Sequence, residues 1–597
     1  MNLTAGNAWF ARFDLGCAVT AGLLVELFPQ LGGWPLLIGI IPWVLRFIER
    51  QPIFPATRFD FPLVLFLLTA GVGVWAAYDP QSAWIKFWLI ASAVLLYAAI
   101  SRQSKEDLGW LAGLLSLFGT AIALVFLFGW NWKAQPSEIP AFTRLMLGWM
   151  KVRPTLFQEV SHLNDDEISG VVAFALPLTI ACSQRIWSKK NLLLKTASIA
   201  AVALNVFVLV IATSRGAWLA AAATSGSLGI WFAVNAFLKG KPLRARAWFV
   251  GILAAAALLL LGIETAWPGP LIRVTNLLPG PAQMENRLDL ARNTIALITD
   301  YPFTGGGLDG FAGQYSRYIL GIPFYSIGNS YNLYLDTALE QGILGTLALV
   351  WIFIGSLWAV LSPQIQSGPL MKTALLASLL FLIYLGLTEN IIATVQSIPM
   401  LFILPGMIAA MARTSGQRSA ARSGWLKIPA VAGAGLFMVL GVIFYRPLLA
   451  AWLANLGAVR TAKIELAGFP SGQWEASPRA GLADAASLFH QSLEFNPRNS
   501  TANYRLGLLS LEQRNFPLST QYLTAALRQA EGNRGIRKNL GLSYAWQGNL
   551  SAAAAMLRDI PEAQAEMDVY SWWWGRQGRP DLAENARRLA AMLAVEG

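Results

Sequence analysis

Long apolar runs separated by short polar loops make up the first three quarters of the chain. A run needs about 20 residues to cross about 30 Å of hydrocarbon as a helix. Thirteen runs approach this length, at roughly 14–31, 33–48, 61–78, 84–101, 107–129, 167–183, 192–212, 216–237, 247–264, 342–362, 372–388, 392–412 and 427–447. The pattern predicts an all-α, polytopic membrane helix bundle of about 12–13 transmembrane helices over residues 1–447.

Composition agrees with a membrane protein. Of the 597 residues, 55% are hydrophobic and only 13% are charged, which is too little charge to solvate a soluble multidomain protein. The 45 Lys and Arg exceed the 33 Asp and Glu, but in membrane proteins basic residues collect in cytoplasmic loops, so nucleic-acid binding is not expected. Cys17 and Cys182 lie in apolar runs, which argues against a disulfide framework or a thiolate metal site.

The basic residues also predict the orientation of the chain. Each basic cluster follows an even-numbered apolar run, beginning with Arg46 and Arg50 after the second run. These loops and the amino terminus are therefore predicted to be cytoplasmic. The loops 130–166 and 265–341, the turn at 213–216 and the C-terminal region then face the extracytoplasmic side.

The C-terminal region changes character near residue 475. After a predicted linker over 448–475, the sequence over 476–597 is amphipathic at helical spacing. Leu506-Gly507 with Asn515 recurs as Leu540-Gly541 with Asn549, an offset of 34 residues (507 to 541). This is the period of tetratricopeptide repeats, which are stacked helix pairs. The pattern predicts a helical-repeat domain that recruits a protein or glycan partner, with a purely structural cap as the alternative.

Arg215 lies in a very short turn between two apolar runs. A charge so close to hydrocarbon is costly unless it has a function or reaches the interface. An arginine that snorkels from a helix end is the alternative, but the turn faces the side where topology does not favour positive charge. Ser214 is placed to cap the next helix, and an arginine at a helix amino terminus suits a diphosphate.

Two further arginines, Arg287 and Arg292, lie in the long loop on a predicted amphipathic helix over 286–299. Interfacial helices often carry surface arginines, so the pattern leaves a binding role and a purely interfacial role open. Gly305, Gly306 and Gly307 follow. They predict a flexible turn with accessible backbone N–H groups, which by itself is weak evidence for phosphate binding.

Four segments share the order and spacing of a known family. They are the Thr-Ser-Arg-Gly turn at 213–216, the stretch from Asn286-Arg287 to Gly305-Gly306-Gly307-Leu308, the stretch from Asn332-Leu333-Tyr334 to Glu340-Gln341-Gly342, and the run from Asn164 to Pro177. Together they resemble the bacterial O-antigen ligases and the related O-antigen polymerases over about residues 160–412. The predicted repeats lie outside this resemblance.

The resemblance implies transfer of a polyprenyl-diphosphate-linked glycan to a lipid, glycan or protein acceptor outside the cytoplasmic (inner) membrane, without a cofactor or a metal. It implies that Arg215, Arg287 and Arg292, with Asn332, bind the donor, since guanidinium groups stabilise charge on a leaving diphosphate. It also implies a histidine in the outer loop that takes the proton of the acceptor hydroxyl.

That histidine is missing here. Where the family carries His-x-His-Asn, this chain has Asn329-Ser330-Tyr331-Asn332, and the neutral Asn329 cannot act as a base. His162 in the loop 130–166 and Glu389 in the short turn before the twelfth run are the remaining candidates for the base. The retained arginines favour a ligase or a polymerase. The lost histidines favour a non-catalytic transport or assembly protein on the same scaffold.

Overall fold

A computed structural model describes residues 3–50, 57–129, 165–188, 191–212, 214–266, 284–322, 327–363, 368–389, 398–414, 441–469 and 481–596. These residues are overwhelmingly helical, and no β-strand occurs among them. The predicted all-α fold class is confirmed.

Fourteen α-helices are described up to residue 414. They are α1 (Leu3–Leu27), α2 (Leu36–Ile48), α3 (Asp60–Ala76), α4 (Pro80–Ile100), α5 (Lys105–Gly129), α6 (Asp165–Trp187), α7 (Leu192–Ile211), α8 (Arg215–Phe237), α9 (Pro242–Ala266), α10 (Met284–Asp300), α11 (Phe311–Tyr315), α12 (Leu333–Val360), α13 (Pro369–Leu385) and α14 (Met400–Thr414). A π-helical turn, Ser316–Leu320, continues α11.

Seven of the described helices, α4 to α9 and α12, are long and apolar enough to cross a membrane. Four shorter apolar helices, α2, α3, α13 and α14, accompany them. Only helices satisfy all backbone hydrogen bonds within a single segment in lipid. The chain is therefore a multi-pass membrane protein. The predicted run at 427–447 lies mostly outside the described residues.

The apolar core of the bundle joins α3, α12 and α14. Phe66 of α3, Phe353 of α12 and Phe402 of α14 are buried in one cluster, and the rings of Phe66 and Phe402 lie 5.7 Å apart. Apolar side chains such as Phe237 are instead largely exposed on the outside of the bundle. This is the arrangement that a lipid environment allows, because lipid tails are as apolar as the core.

The helix α12 is broken at Gly342, whose φ of 74° and ψ of 179° are not helical. The sequence predicts a span starting at residue 342, and the break falls at that residue. The nine residues before it form a separate helical segment that buries Asp336 and Glu340. A Cβ on Gly342 would lie 2.6 Å from the carbonyl oxygen of Phe303. Glycine therefore lets the loop that follows α10 pack directly against the break.

Eight helices follow the membrane bundle. They are α15 (Tyr445–Glu465), α16 (Leu482–Phe495), α17 (Ser500–Glu512), α18 (Phe516–Leu527), α19 (Arg534–Trp546), α20 (Leu550–Leu557), α21 (Ala563–Arg576) and α22 (Pro580–Glu596). Most of the stretch predicted as a linker, 448–475, is thus the helix α15. Small residues on α15, including Ala454, Gly457 and Ala458, are buried, and Phe489 of α16 packs against Gly457. Residues 448–465 therefore form a closely packed helix.

The pairs α17–α18 and α19–α20 repeat the same local geometry 34 residues apart. A Cβ on Gly507 would lie 2.7 Å from Leu523, and a Cβ on Gly541 would lie 2.7 Å from Leu557. The second helix of each pair is capped by an asparagine, Asn515 in α18 and Asn549 in α20. The recurrent Gly and Asn of the sequence therefore serve helix packing and helix capping. Their assignment to tetratricopeptide-like repeats stays a prediction.

The helix pairs bind the chain's own loop. Arg505 of α17 forms a buried ion pair with Asp300 at 2.7 Å, and its guanidinium lies 3.4 Å from the centre of the Tyr318 ring. Tyr504 donates a hydrogen bond to the carbonyl of Tyr318 at 2.7 Å. Burial raises the pKa of Tyr301, so its hydroxyl stays protonated while it accepts a hydrogen bond from Arg505. We call this set of contacts the loop clamp.

A second cation extends the loop clamp. Lys538 of α19 is 2% exposed, donates to the carbonyl of Leu320 at 2.5 Å, and forms ion pairs with Glu562 and Glu566 at 2.8 and 2.7 Å. Arg317 of the π-helical turn pairs in turn with Glu465 of α15 at 3.0 Å. The end of α10 and the residues after it are therefore held by three C-terminal helices.

Candidate functional site

The turn that opens α8 is built by a local helix cap. Ser214 is in an extended conformation, and its hydroxyl accepts a hydrogen bond from the backbone N–H of Ala217. This is the usual N-cap arrangement, and it agrees with the predicted role of Ser214. Arg215 is then the first residue of α8 and is half-buried.

Gly216 brings this turn against the end of α13. A Cβ at Gly216 would lie 2.7 Å from Oε1 of Glu389 and 2.8 Å from Oγ1 of Thr388. No larger residue fits at this distance without displacing one of them. The carboxylate also lies at the amino terminus of α8, where the helix dipole favours negative charge.

Glu389 contacts the first predicted loop arginine. Its Oε1 accepts from Nη1 of Arg287 at 2.9 Å, and the same nitrogen donates to the carbonyl of Thr388 at 2.8 Å. The guanidinium carbon of Arg287 lies 4.8 Å from the centre of the Tyr331 ring. The Arg287 side chain is 20% exposed and that of Glu389 is 10% exposed. Both charged side chains are therefore mostly covered by protein, but each remains partly accessible.

Asn332 joins the next loop to the same place. Its side-chain oxygen caps α12 by accepting from the N–H groups of Tyr334 and Leu335, both at 3.0 Å. Its Nδ2 donates to the carbonyl of Leu387 at 3.0 Å. Asn332 therefore holds the loop beside Glu389, and its amide is already used in protein contacts.

The start of α8, the start of α10, the end of α13 and the start of α12 thus converge. Together they carry Arg215, Arg287, Glu389 and Asn332, which we call the arginine site. All four elements are far apart in the sequence. The close approach of Gly216 to Glu389, the pairing of Arg287 with Glu389 and the hydrogen bond from Asn332 to Leu387 bring them together.

A family model described as O-antigen ligase matches residues 200–350. The chain therefore carries an O-antigen ligase family domain. The match contains Arg215, Arg287 and Asn332 but ends before Glu389. A search of curated proteins finds no match. The O-antigen ligase domain supports a membrane enzyme family of the ligase or polymerase type.

Arg292, also within the O-antigen ligase domain, is not brought to the arginine site. Its side chain is 68% exposed and pairs with Asp289 of the same helix at 3.1 Å. Five residues along a helix correspond to a rotation of about 140°, so Arg287 and Arg292 occupy different faces of α10. The sequence predicts helix 286–299, and the structure gives Met284–Asp300, but helix existence alone does not decide which arginine faces the site.

We expect Arg292→Ala to reduce activity less than tenfold and Arg287→Ala to reduce it by at least a hundredfold. The reason is that Arg292 pairs only with the exposed Asp289. Arg287 instead contacts a carboxylate oxygen, a carbonyl oxygen and the Tyr331 ring. Initial rates of polyprenyl diphosphate release by the two purified variants measure this difference. Equal losses would contradict the distinction between the two arginines that their contacts suggest.

Gly305, Gly306 and Gly307 of the O-antigen ligase domain are packed and do not form an accessible turn. The N–H of Gly306 donates to the carbonyl of Leu339 at 2.6 Å. Gly307 has a φ of 107°, and a Cβ there would lie 2.3 Å from Cα of Ala77. The expectation of accessible N–H groups is wrong for Gly306, because the loop packs against α3 and α12.

Asn329 lines a cavity whose lining contains none of the four residues of the arginine site. Its Oδ1 accepts from the backbone N–H of Tyr331 at 2.8 Å. The cavity also contains Lys86 of α4 and Glu340 of α12, which form a buried ion pair at 2.6 Å. The sequence analysis missed this pair. A lysine within an apolar run is the signal that identifies it, because a charge there needs a partner.

His162, the other predicted base, lies outside the described residues. Glu389 is described, and its carboxylate is oriented toward Arg287 and the start of α8. Among the described residues, no group of three or more His, Cys, Asp or Glu side chains is arranged to hold a metal ion.

Proposed function

We propose that this protein transfers a glycan from a polyprenyl-diphosphate donor to an acceptor hydroxyl, as an O-antigen ligase-type glycosyltransferase. The reaction takes place on the extracytoplasmic side of the cytoplasmic membrane, with the amino terminus in the cytoplasm. The basic loops support this orientation. An O-antigen or exopolysaccharide polymerase uses the same donor chemistry and differs in the acceptor.

The observation that carries this proposal is the contact of Gly216 with Glu389, the partner of Arg287. It places the start of α8, with Arg215, beside the second arginine. A leaving diphosphate carries developing negative charge, and preorganised guanidinium groups stabilise such charge. The same groups would bind the diphosphate in the ground state, so both affinity and rate depend on them.

Replacing Arg215 tests the donor role. We expect Arg215→Ala to abolish transfer, and Arg215→Lys to restore little of it, because lysine cannot reproduce bidentate contacts to phosphate oxygens. The measurement is release of polyprenyl diphosphate from a synthetic polyprenyl-diphosphate-linked oligosaccharide by the full-length protein in nanodiscs.

Arg460→Ala is the matched control, because Arg460 is an exposed arginine of α15 with a distant partner, Asp484, at 3.7 Å. The control should retain the wild-type rate. Full activity of Arg215→Ala would leave only an interfacial role for Arg215 and would contradict the proposal.

A non-catalytic assembly role on the same scaffold is the second candidate. It is favoured by one observation, the asparagine at position 329 where the resembling family carries histidine. If the wild-type protein releases no polyprenyl diphosphate while Asn329→His does, the non-catalytic role is the better explanation.

A further inference from the structure

A cavity of about 390 Å³ has a lining that contains none of the four residues of the arginine site. It lies between the start of α4, the segment that contains α11, and the first half of α12. The residues that matter for its chemistry are Tyr78, Asp79, Asp309, Asn329, Glu340 and Phe469.

The lining of this cavity combines aromatic and acidic groups. The rings of Tyr78 and Phe469 meet edge to face, with centres 6.2 Å apart. Aromatic faces pack against the C–H face of a sugar ring, while carboxylates and amides bind its hydroxyl groups. Pockets with an apolar wall and a few convergent polar groups are typical small-ligand sites. Phe469 follows α15, so the C-terminal region supplies part of this wall.

The three carboxylates of the cavity differ in their surroundings. Glu340 pairs with Lys86 at 2.6 Å. Asp79 caps α4, accepting from Ser82 Oγ at 2.6 Å and from the N–H of Gln81 at 3.1 Å. Asp309 is exposed, whereas Asp79 is half-buried and Glu340 is buried, and the Asp309 charge acts on the nearby Lys86 and Glu340. Asp309 is therefore the most accessible of the three carboxylates to a ligand.

The backbone at Asp309 supports a functional position. Its φ is 57°, in the left-handed region that only a few per cent of residues other than glycine adopt, aspartate more often than most. Unusual backbone conformations persist where the surrounding structure enforces them, often at functional sites. Here the neighbouring turn is held by the N–H of Leu308, which donates to the carbonyl of Gly73 at 3.0 Å.

One short segment of the chain both lines the cavity and contacts the arginine site. Asn329 lines the cavity, and its side chain contacts the backbone of Tyr331, whose ring lies 4.8 Å from the Arg287 guanidinium. The two residues from 329 to 331 span at most about 7 Å. The segment 329–331 therefore contributes both to the cavity and to the arginine site.

We propose that this cavity binds the acceptor sugar and that Asp309 is the general base for its hydroxyl, replacing the histidine that the sequence lacks at position 329. This inference rests on the proposed function. The acceptor oxygen forms a bond to the anomeric carbon of the donor while its proton passes to the Asp309 carboxylate. The bond from the anomeric carbon to the diphosphate oxygen breaks, and polyprenyl diphosphate leaves with the electron pair.

The test compares Asp309→Asn with the wild-type protein in nanodiscs. A synthetic polyprenyl-diphosphate-linked oligosaccharide serves as donor, and a lipid extract of the producing cells serves as the source of acceptor. General-base assistance is worth about 10²–10⁴-fold, so we expect release of polyprenyl diphosphate to slow by about that factor. Donor affinity, measured by fluorescence titration, should change less than twofold. Asp484→Asn is the control, because Asp484 is an exposed carboxylate on α16.

A double variant, Asp309→Asn with Asn329→His, tests whether both positions serve one cavity. The double variant should be at least tenfold faster than Asp309→Asn. The acid limb of its pH–rate profile should move toward about 6.5, the ordinary pKa of histidine. Wild-type rates in Asp309→Asn, a loss of donor affinity equal to the loss of rate, or no recovery in the double variant would overturn the assignment. An inactive wild-type protein would instead overturn the proposed function, and this assignment with it.

Discussion

Replacing Arg505 by alanine is expected to destabilise the protein by about 3–5 kcal/mol, the usual cost of breaking a buried ion pair on one side. Arg505 is 1% exposed and Asp300 is 6% exposed at the side chain. Without the guanidinium, the carboxylate of Asp300 would remain buried without its charge partner. The loss should appear as a lower thermal midpoint of the purified protein and as faster proteolysis of the loop that follows α10.

A double variant distinguishes a buried charge from lost packing. Replacing Arg505 by Met and Asp300 by Leu removes both charges, and a well-packed apolar pair can equal a buried ion pair in stability. This variant should recover much of the loss. Arg537→Ala is the control, because its partner Asp559 is 72% exposed and exposed pairs contribute about 0–1 kcal/mol. If Arg505→Ala and Arg537→Ala have equal effects, the loop clamp does not stabilise the fold.

The loop clamp also bears on function. It holds the end of α10, the helix that carries Arg287, and the segment that precedes the cavity. We therefore expect Arg505→Ala to lower turnover although Arg505 contacts no proposed ligand. The inner contacts of α17 and α19 are occupied by the chain itself. A protein or glycan partner of the predicted repeats would have to use another surface, such as the exposed Trp572 of α21.

Replacing Glu389 is expected to affect donor binding more than the chemical step. Glu389→Ala removes the charged partner of Arg287, and hydrogen bonds between charged groups contribute about 1.5–3 kcal/mol. Donor affinity should fall by about 10–100-fold, since each 1.4 kcal/mol corresponds to tenfold. Glu389→Gln keeps an oxygen that accepts from Arg287 and should retain most of the affinity.

This pair of variants separates two roles for Glu389. If Glu389 orients Arg287, Glu389→Ala should lose more donor affinity than Glu389→Gln. The acid limb of the pH–rate profile should then stay unchanged. If Glu389 is instead the catalytic base, turnover should fall by about 10²–10⁴-fold in both variants, while donor affinity stays unchanged. The second result would contradict the orienting role and would return Glu389 to the position of base.

The predicted residues differ in whether the structure brings them to the arginine site, and one physical reason accounts for the differences. Arg215 and Arg287 were predicted from the sequence because charges beside hydrocarbon and on an amphipathic helix are conspicuous. Arg292 has the same local signals, but the direction of its side chain depends on how α10 packs. In the sequence, the glycines after α10 also suggest a phosphate-binding turn. In the structure, their small size allows the loop to pack closely against α3 and α12.

The sequence alone determined the helical class, the membrane location, the helix at the start of the long loop and the 34-residue recurrence after residue 500. These properties follow from periodicity and hydropathy, which act locally along the chain. Only the tertiary structure decided that Glu389 joins Arg287 to the start of α8, that Lys86 pairs with Glu340, and that Arg505 holds Asp300. Each of these contacts joins residues more than 100 positions apart, and long-range charge pairing depends on packing that no local pattern encodes.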